Sequence, residues 1–298
     1  MMMIASERLR RHGYIVTTMN DHLGGLASWF PNHEFVKESN PAEQVTFFSK
    51  FDLVLLQNDN TEKSRAIIKL HKLGKIRSLS IFYSSYEPSK HPPLTFWDIV
   101  FDSKKTMVEN ISKGIAFLLR SKEISTNNGI IPPSFLNFRR FQRRVLIHPT
   151  ASTQDRMWPF NSFLQIGKIL KENDYDPIMS LSKREREYFS MEELKQIYSP
   201  KIESLSDLAA LIFESGYVIG NESGIVHLAS NLHIPTIVIS GHEKRIQMWR
   251  PGWLQGLVVT PPKWIPNWKF LRLREKRWKT LISPQQVYRN FMRQVTIT

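Results

Sequence analysis

The chain has 298 residues, 41% of them apolar, which is long enough for two domains that each bury a core. It has no cysteine, which excludes disulfides and thiolate metal sites, and no apolar run near the ~20 residues that a membrane-spanning helix requires. A net charge of +14 directs attention to anionic partners, either a membrane surface or nucleic acid.

The first half alternates helical and extended patterns. Ile4 to Arg11 reads as an amphipathic helix rather than a secretory signal, Tyr14 to Thr18 as a strand, Pro41 to Lys50 as a helix and Asp52 to Gln57 as a strand. Ser64 to Leu73 is then helical, Leu79 to Tyr83 and Asp98 to Phe101 extended, and Thr106 to Arg120 helical. Strands alternating with helices predict an α/β domain. The stretch Ser121 to Phe141, with Ser-Thr-Asn-Asn-Gly and Pro132-Pro133, is the expected linker.

In the second half, Val145-Leu146-Ile147 predicts a buried strand, and Phe163, Ile166 and Leu170 form the core face of the helix that follows. Between them runs His148-Pro149-Thr150-Ala151-Ser152-Thr153-Gln154-Asp155-Arg156-Met157-Trp158-Pro159. Thr150, Ser152 and Thr153 can bond phosphate oxygens, and the planar fork of Arg156 suits a diphosphate. An ordinary Ser/Thr-rich turn has the same composition. Strands are expected near Ile178 and Lys201, and helices over Arg184 to Ile197 and Ser206 to Phe213.

The run Gly216 to Gly241 is GYVIGNESGIVHLASNLHIPTIVISG. Tyr217 to Ile219 and Thr236 to Ile239 predict buried parallel strands, with Ser223 at the N-cap of a helix between them. Ile225, Leu228, Ala229 and Leu232 give that helix an inward stripe, and His227 lies off it, one turn on from Ser223. A helix N-terminus with Gly224, a hydroxyl and an imidazole is an anion site, although Ser-Gly also serves as a plain cap. Two such loops, each after a strand and before a helix, match the rule that ligands bind beyond the carboxyl ends of strands. Pro284 to Val295 predicts a closing helix.

The motifs H-P-T-A-S-x-x-x-R-M-W-P and G-N-E-S-G-I-V-H-L-A-S-N-L-H-I-P-T resemble the two signatures of glycosyltransferase family 9, the lipopolysaccharide heptosyltransferases. The resemblance implies a GT-B fold, two Rossmann-like halves facing across a cleft. An acceptor-side domain would occupy 1–141 with its linker, and a nucleotide-sugar domain 142–298. It implies transfer of a heptose from ADP-heptose to the anionic lipopolysaccharide inner core, with inversion, no metal, and no cofactor beyond the ADP-sugar substrate. By position, Thr150, Ser152 and Thr153 lie near the phosphates, Arg156 supplies the basic contact, and Ser223, Gly224 and His227 hold the diphosphate and sugar. Glu222 stands where the family usually has Asp.

The family's opening strand and its Gly-Asp turn, which carries the expected base, have no counterpart, because this chain starts within a helix. That makes the first domain an incomplete Rossmann-like half. It leaves Asp21, before Gly24-Gly25, as the carboxylate to consider, although its place suits a residue that shapes the turn after the Tyr14 strand; Asp59 is another with the same ambiguity. Basic clusters at Arg139 to Arg144, Lys183 to Arg186 and Lys269 to Lys279, the last interleaved with Trp264, Trp268, Phe270 and Trp278, fit a cytoplasmic protein resting on the inner leaflet. A solvated surface over core tryptophans would read the same. Two other functions remain open, a non-catalytic nucleotide-sugar-binding remnant and a basic nucleic-acid-binding protein, though no nucleic-acid motif is present and no nucleic acid is the expected partner.

Overall fold

A computed structural model of the chain describes residues 1–20, 23–37, 41–267 and 272–297. The chain divides into two compact units, Met1–Ile131 and Pro132–Thr298, with the division inside the segment read as a linker.

The first unit contains α1 (Met3–Arg11), β1 (Thr17–Met19), a 3-10 turn (Leu23–Trp29), β2 (Glu34–Val36), α2 (Pro41–Phe48), β3 (Val54–Asn58), α3 (Glu62–Lys72), β4 (Leu79–Tyr83), β5 (Ile99–Val100) and α4 (Met107–Leu118). β1 and β2 form one parallel pair, and β3, β4 and β5 form a separate parallel sheet in that order. Among the described residues no strand joins the two sheets. The 3-10 turn and β2 carry no strong periodicity, and the sequence did not disclose them. α4 begins in a reciprocal capping box between Thr106 and Glu109, and its inner face is Met107, Ile111 and Ile115. α1 packs on α4. It also buries Glu7, whose carboxylate binds Arg10, Arg11 and His33; burial pushes this acid up, and the two guanidiniums outweigh it, bringing it down to about 2.

The second unit contains β6 (Phe141–His148), α5 (Phe160–Glu172), β7 (Asp176–Met179), α6 (Lys183–Arg186), α7 (Met191–Leu194), α8 (Leu205–Phe213), β8 (Ser215–Asn221), α9 (Gly224–Asn231), β9 (Thr236–Ile239), α10 (Glu243–Trp249), β10 (Leu257–Val259), α11 (Leu273–Lys276), α12 (Trp278–Leu281) and α13 (Pro284–Ile297). Among the described residues its five strands are all parallel, in the order β10-β9-β8-β6-β7. The chain therefore runs from β6 outward to β7, then returns to β8 on the other side of β6. This reversal between β6 and β8 is the topological switch point of the sheet. Phe163, Ile166 and Leu170 of α5 and Val287 and Phe291 of α13 are fully buried against the strands.

Two expectations fail here. The single helix over Arg184 to Ile197 is two short helices, because Ser182 with Glu185 and Ser190 with Glu193 each build a capping box and so start a new helix. No strand forms at Lys201: the Ser199 and Pro200 carbonyls accept bonds from Arg186 at 3.0 and 2.7 Å instead of joining a ladder.

At Gly216 of β8 a Cβ would lie 2.0 Å from the Gln142 carbonyl oxygen of β6. Gly216→Ala is therefore expected to destabilise the second unit by about 3 kcal/mol or to prevent its folding. Gly224→Ala, which meets no atom within 4 Å, should stay within about 0.5 kcal/mol of the parent. Denaturant unfolding of both variants checks the contrast, and equal stability of the two would contradict it.

Candidate functional site

Both signature loops leave the carboxyl ends of β6 and β8, the two strands at the switch point. The residue that ties them together is Asn221, at the end of β8 and fully buried. Its amide Nδ2 donates to the Pro149 carbonyl at 2.6 Å and its Oδ1 accepts the Trp158 backbone N–H at 2.9 Å. One side chain thus holds both ends of the first loop against the start of the second. Asn221 was not among the residues expected from sequence to form the site. The available signal was a polar residue closing an otherwise apolar strand.

The first loop uses most of its hydroxyls internally. Thr150 is buried; its Oγ1 lies 3.0 Å from His148 Nε2 and donates to Glu185 Oε1, so it is committed to an internal network rather than open to a ligand. Thr153 bonds the Asp155 carboxylate, and Ser152 accepts from Arg156 Nη1 at 3.3 Å. Arg156 sits at the end of a short 3-10 turn with its guanidinium partly open to solvent. That turn is braced from α12: Trp278 Nε1 donates to the Asp155 carbonyl at 3.2 Å, and Lys279 Nζ to the Gln154 carbonyl at 2.6 Å. Trp278 is buried, and its ring occupies the space where a Cβ at Gly241 would fall, 2.4 Å from the nearest ring atom. This tryptophan, grouped from sequence with a membrane-facing cluster, is therefore a core residue. Trp268, Lys269 and Phe270 lie outside the described residues, as does Asp21. Asp59 accepts at Oδ1 from Thr61 and Ser64, an arrangement that secures the start of α3.

The second loop is built differently. Glu222 is nearly buried and pairs with Arg245 of α10 at 2.9 Å, while Ser240 Oγ donates to its other oxygen at 3.3 Å. Ser223 stands at the N-cap of α9 with extended backbone, as expected, yet its hydroxyl caps nothing. Ser223 Oγ and His227 Nδ1 are both shut off from water without a hydrogen-bond partner. Burial lowers the His227 pKa to about 4, so the imidazole is neutral near pH 7. Gly224, the first helical residue, faces open space, so a ligand can reach the N–H groups that begin α9 and lack intrahelical partners. The inward stripe of α9 differs from the expected one. Val226, Ala229 and Leu232 are buried, whereas Ile225 and Leu228 are half-buried.

Asn221→Ala should cost about 2 kcal/mol or more, because it strands a buried carbonyl and a buried N–H together. Thermal denaturation reads that loss directly. Asn221→Asp keeps the Trp158 bond but sets a carboxylate against the Pro149 carbonyl, so it too should be less stable than the parent.

Residues 123–252 match the family model described as Glycosyltransferase family 9 (heptosyltransferase). No curated protein sequence matches the chain. Among solved structures, ADP-heptose lps heptosyltransferase II of E. coli is similar over 99% of this chain and 95% of its own at 16% identity, with a TM-score of 0.65. A glycosyl transferase family 9 protein from Veillonella parvula DSM 2008 aligns over 100% and 94% at 12% identity, with a TM-score of 0.68. E. coli heptosyltransferase WaaC aligns over 98% and 94% at 13% identity, with a TM-score of 0.65. These structures share the parallel α/β layout of both units, and the family match covers both signature loops. Residues 123–252 thus resemble glycosyltransferase family 9, and the chain shares the GT-B fold of these heptosyltransferase structures.

Proposed function

We propose that this glycosyltransferase moves a heptose from ADP-heptose to the anionic inner core of lipopolysaccharide, at the inner face of the cytoplasmic membrane. The acceptor oxygen attacks the anomeric carbon as the bond to the diphosphate breaks, so ADP departs with the electron pair and configuration inverts. The hydroxyl proton goes to a base, for which Asp21 is the first carboxylate to test.

The observation that carries the donor reading is the mouth of α9. Two polar atoms, Ser223 Oγ and His227 Nδ1, are buried there without partners, beside helix N–H groups opened by Gly224. An unsatisfied buried polar group costs about 1–3 kcal/mol, which a bound diphosphate would recover. Arg156 on the neighbouring loop gives a fixed cation for the charge that develops on the leaving diphosphate, in place of a metal. E. coli WaaC has been solved with ADP and with ADP-2-deoxy-2-fluoro heptose, which supports a nucleotide sugar as donor here.

Calorimetry of the chain with ADP tests this reading. Arg156→Ala should weaken binding by about 1.5 to 3 kcal/mol, as for a lost hydrogen bond to a charged group. Unchanged affinity in that variant, or no binding by the parent, overturns the site. Transfer of labelled heptose to a defined inner-core acceptor then tests the substrates.

A pH effect follows from His227. Its pKa of about 4 lies below the ordinary 6.5, so between these values the unfolded chain binds a proton that the folded one refuses. Stability of the ligand-free protein therefore falls as pH drops through that window. A diphosphate favours the imidazolium, so ADP binding near pH 5.5 should take up protons, read as a dependence of binding heat on buffer ionisation enthalpy. His227→Gln should abolish the uptake.

A further inference from the structure

The first unit carries an aromatic cluster held out to solvent. Between β4 and β5, Phe96 is 67% and Trp97 48% exposed, and Phe117, near the end of α4, is 50% exposed. The rings form one group, with centroids 5.3 Å apart for Phe96 and Trp97 and 5.5 Å for Phe96 and Phe117. Leu94 and Val100, on either side of the turn in sequence, are 45% and 46% exposed.

This turn is not slack. Asp98 Oδ1 accepts the Ile81 N–H at 2.8 Å, and its Oδ2 accepts Thr95 N–H and Oγ1 at 2.8 and 2.9 Å. Ser80 Oγ, fully buried in β4, donates to the Trp97 carbonyl at 2.6 Å. Two points of β4, the central strand of its sheet, thus fix the backbone that presents both aromatics. Gly114 lets α4 lie against Phe82 and Ile99, and Phe117, one turn on, meets Phe96.

Exposed cations follow the cluster along and beyond α4. Lys113 lies one turn before Phe117 on the exposed side of α4, and Arg120 and Lys122 follow the helix, all exposed. Acidic groups nearby in sequence are already engaged: Asp98 on the turn, Asp102 with Lys105 at 3.2 Å and Glu123 with Arg8 at 2.8 Å. Exposed tryptophan and phenylalanine flanked by basic side chains match a bilayer interface, where rings sit at headgroup depth and cations meet anionic lipid.

We infer that the Phe96, Trp97 and Phe117 cluster is the surface by which this protein docks on an anionic membrane. This rests on the reading of the acceptor as membrane-borne, and it sets the docking surface on the first unit rather than at the tryptophans of residues 264–278.

Co-sedimentation of the whole chain with vesicles tests the inference without donor or acceptor. The parent should bind vesicles containing roughly one-third phosphatidylglycerol and not pure phosphatidylcholine. Phe96→Ser with Trp97→Ser should weaken binding at least about tenfold, and Lys113→Glu with Arg120→Glu similarly, with ADP affinity retained in both. Trp264→Ser, at an 82% exposed tryptophan of the second unit, should change it less than about twofold. If the aromatic pair proves unstable, Phe117→Ser and the charge pair carry the same expectation. No binding by the parent, undiminished binding by these variants, or light scattering showing a parent dimer that the aromatic variant dissolves would overturn it. Vesicle binding without ADP binding would instead count against the proposed function and leave the surface standing.

Discussion

Two parallel strands that adjoin at a switch point send their loops apart, and a ligand site between those loops needs something to hold them in register. Here that is the carboxamide of Asn221, which offers one donor and one acceptor to backbone groups at the two ends of the first loop. Both bonds go to main-chain atoms, so the loop's path does not depend on the side chains it displays. An apolar residue of similar size at this place would leave a buried carbonyl and a buried N–H unpaired. Trp158 extends the same brace, donating from Nε1 to the Ile282 carbonyl at 3.1 Å and so anchoring the loop to the segment before α13.

Part of the positive charge is a structural resource rather than a surface field. Arg144 lies 3.7 Å over the Phe141 ring and near Asp176, and Arg143 stacks on Tyr175 and faces Asp174. Arg139 lies over Tyr217, and Arg186 ties down the carbonyls of Ser199 and Pro200. The Arg139 to Arg144 run, which in sequence looks like a basic patch, fastens the start of β6 to its neighbours through cation–π contacts. A run committed in this way makes a poor track for a phosphate backbone, which needs its cations aligned along one groove.

What the sequence disclosed was local. The strands at Val145 to Ile147, Tyr217 to Ile219 and Thr236 to Ile239 are continuous apolar runs, as strands buried on both faces must be, and α5 and α13 show clean helical periodicity. What it concealed was pairing at long range. Thr150 meets Glu185 across 35 residues, Glu222 meets Arg245, and Trp278 fills the space left by Gly241; no spacing rule reports such contacts. The helix drawn over Arg184 to Ile197 shows a local signal overlooked, since Ser182-x-x-Glu185 and Ser190-x-x-Glu193 are both capping boxes. The first unit was harder to read, because β1, β2 and β5 are two or three residues long and their periodicity is correspondingly thin.

The two loops divide their labour in a way that composition alone did not indicate. By sequence the first, with three hydroxyls and an arginine, is the richer in phosphate ligands. In the structure Thr150 is engaged inside the protein, Thr153 bonds the exposed Asp155 carboxylate and Ser152 steadies Arg156, so the loop's contribution narrows to one guanidinium held by a braced turn. The second loop looks poorer, yet it withholds satisfaction from Ser223 and His227. An unmade hydrogen bond costs most where water is excluded, and for the same reason a ligand that makes it gains most. The ligand-free protein carries that cost on a helix mouth whose first residue, Gly224, opens the way to it. On the proposed function, the attraction for a diphosphate would therefore arise chiefly from α9, with the first loop aligning the cation that meets it.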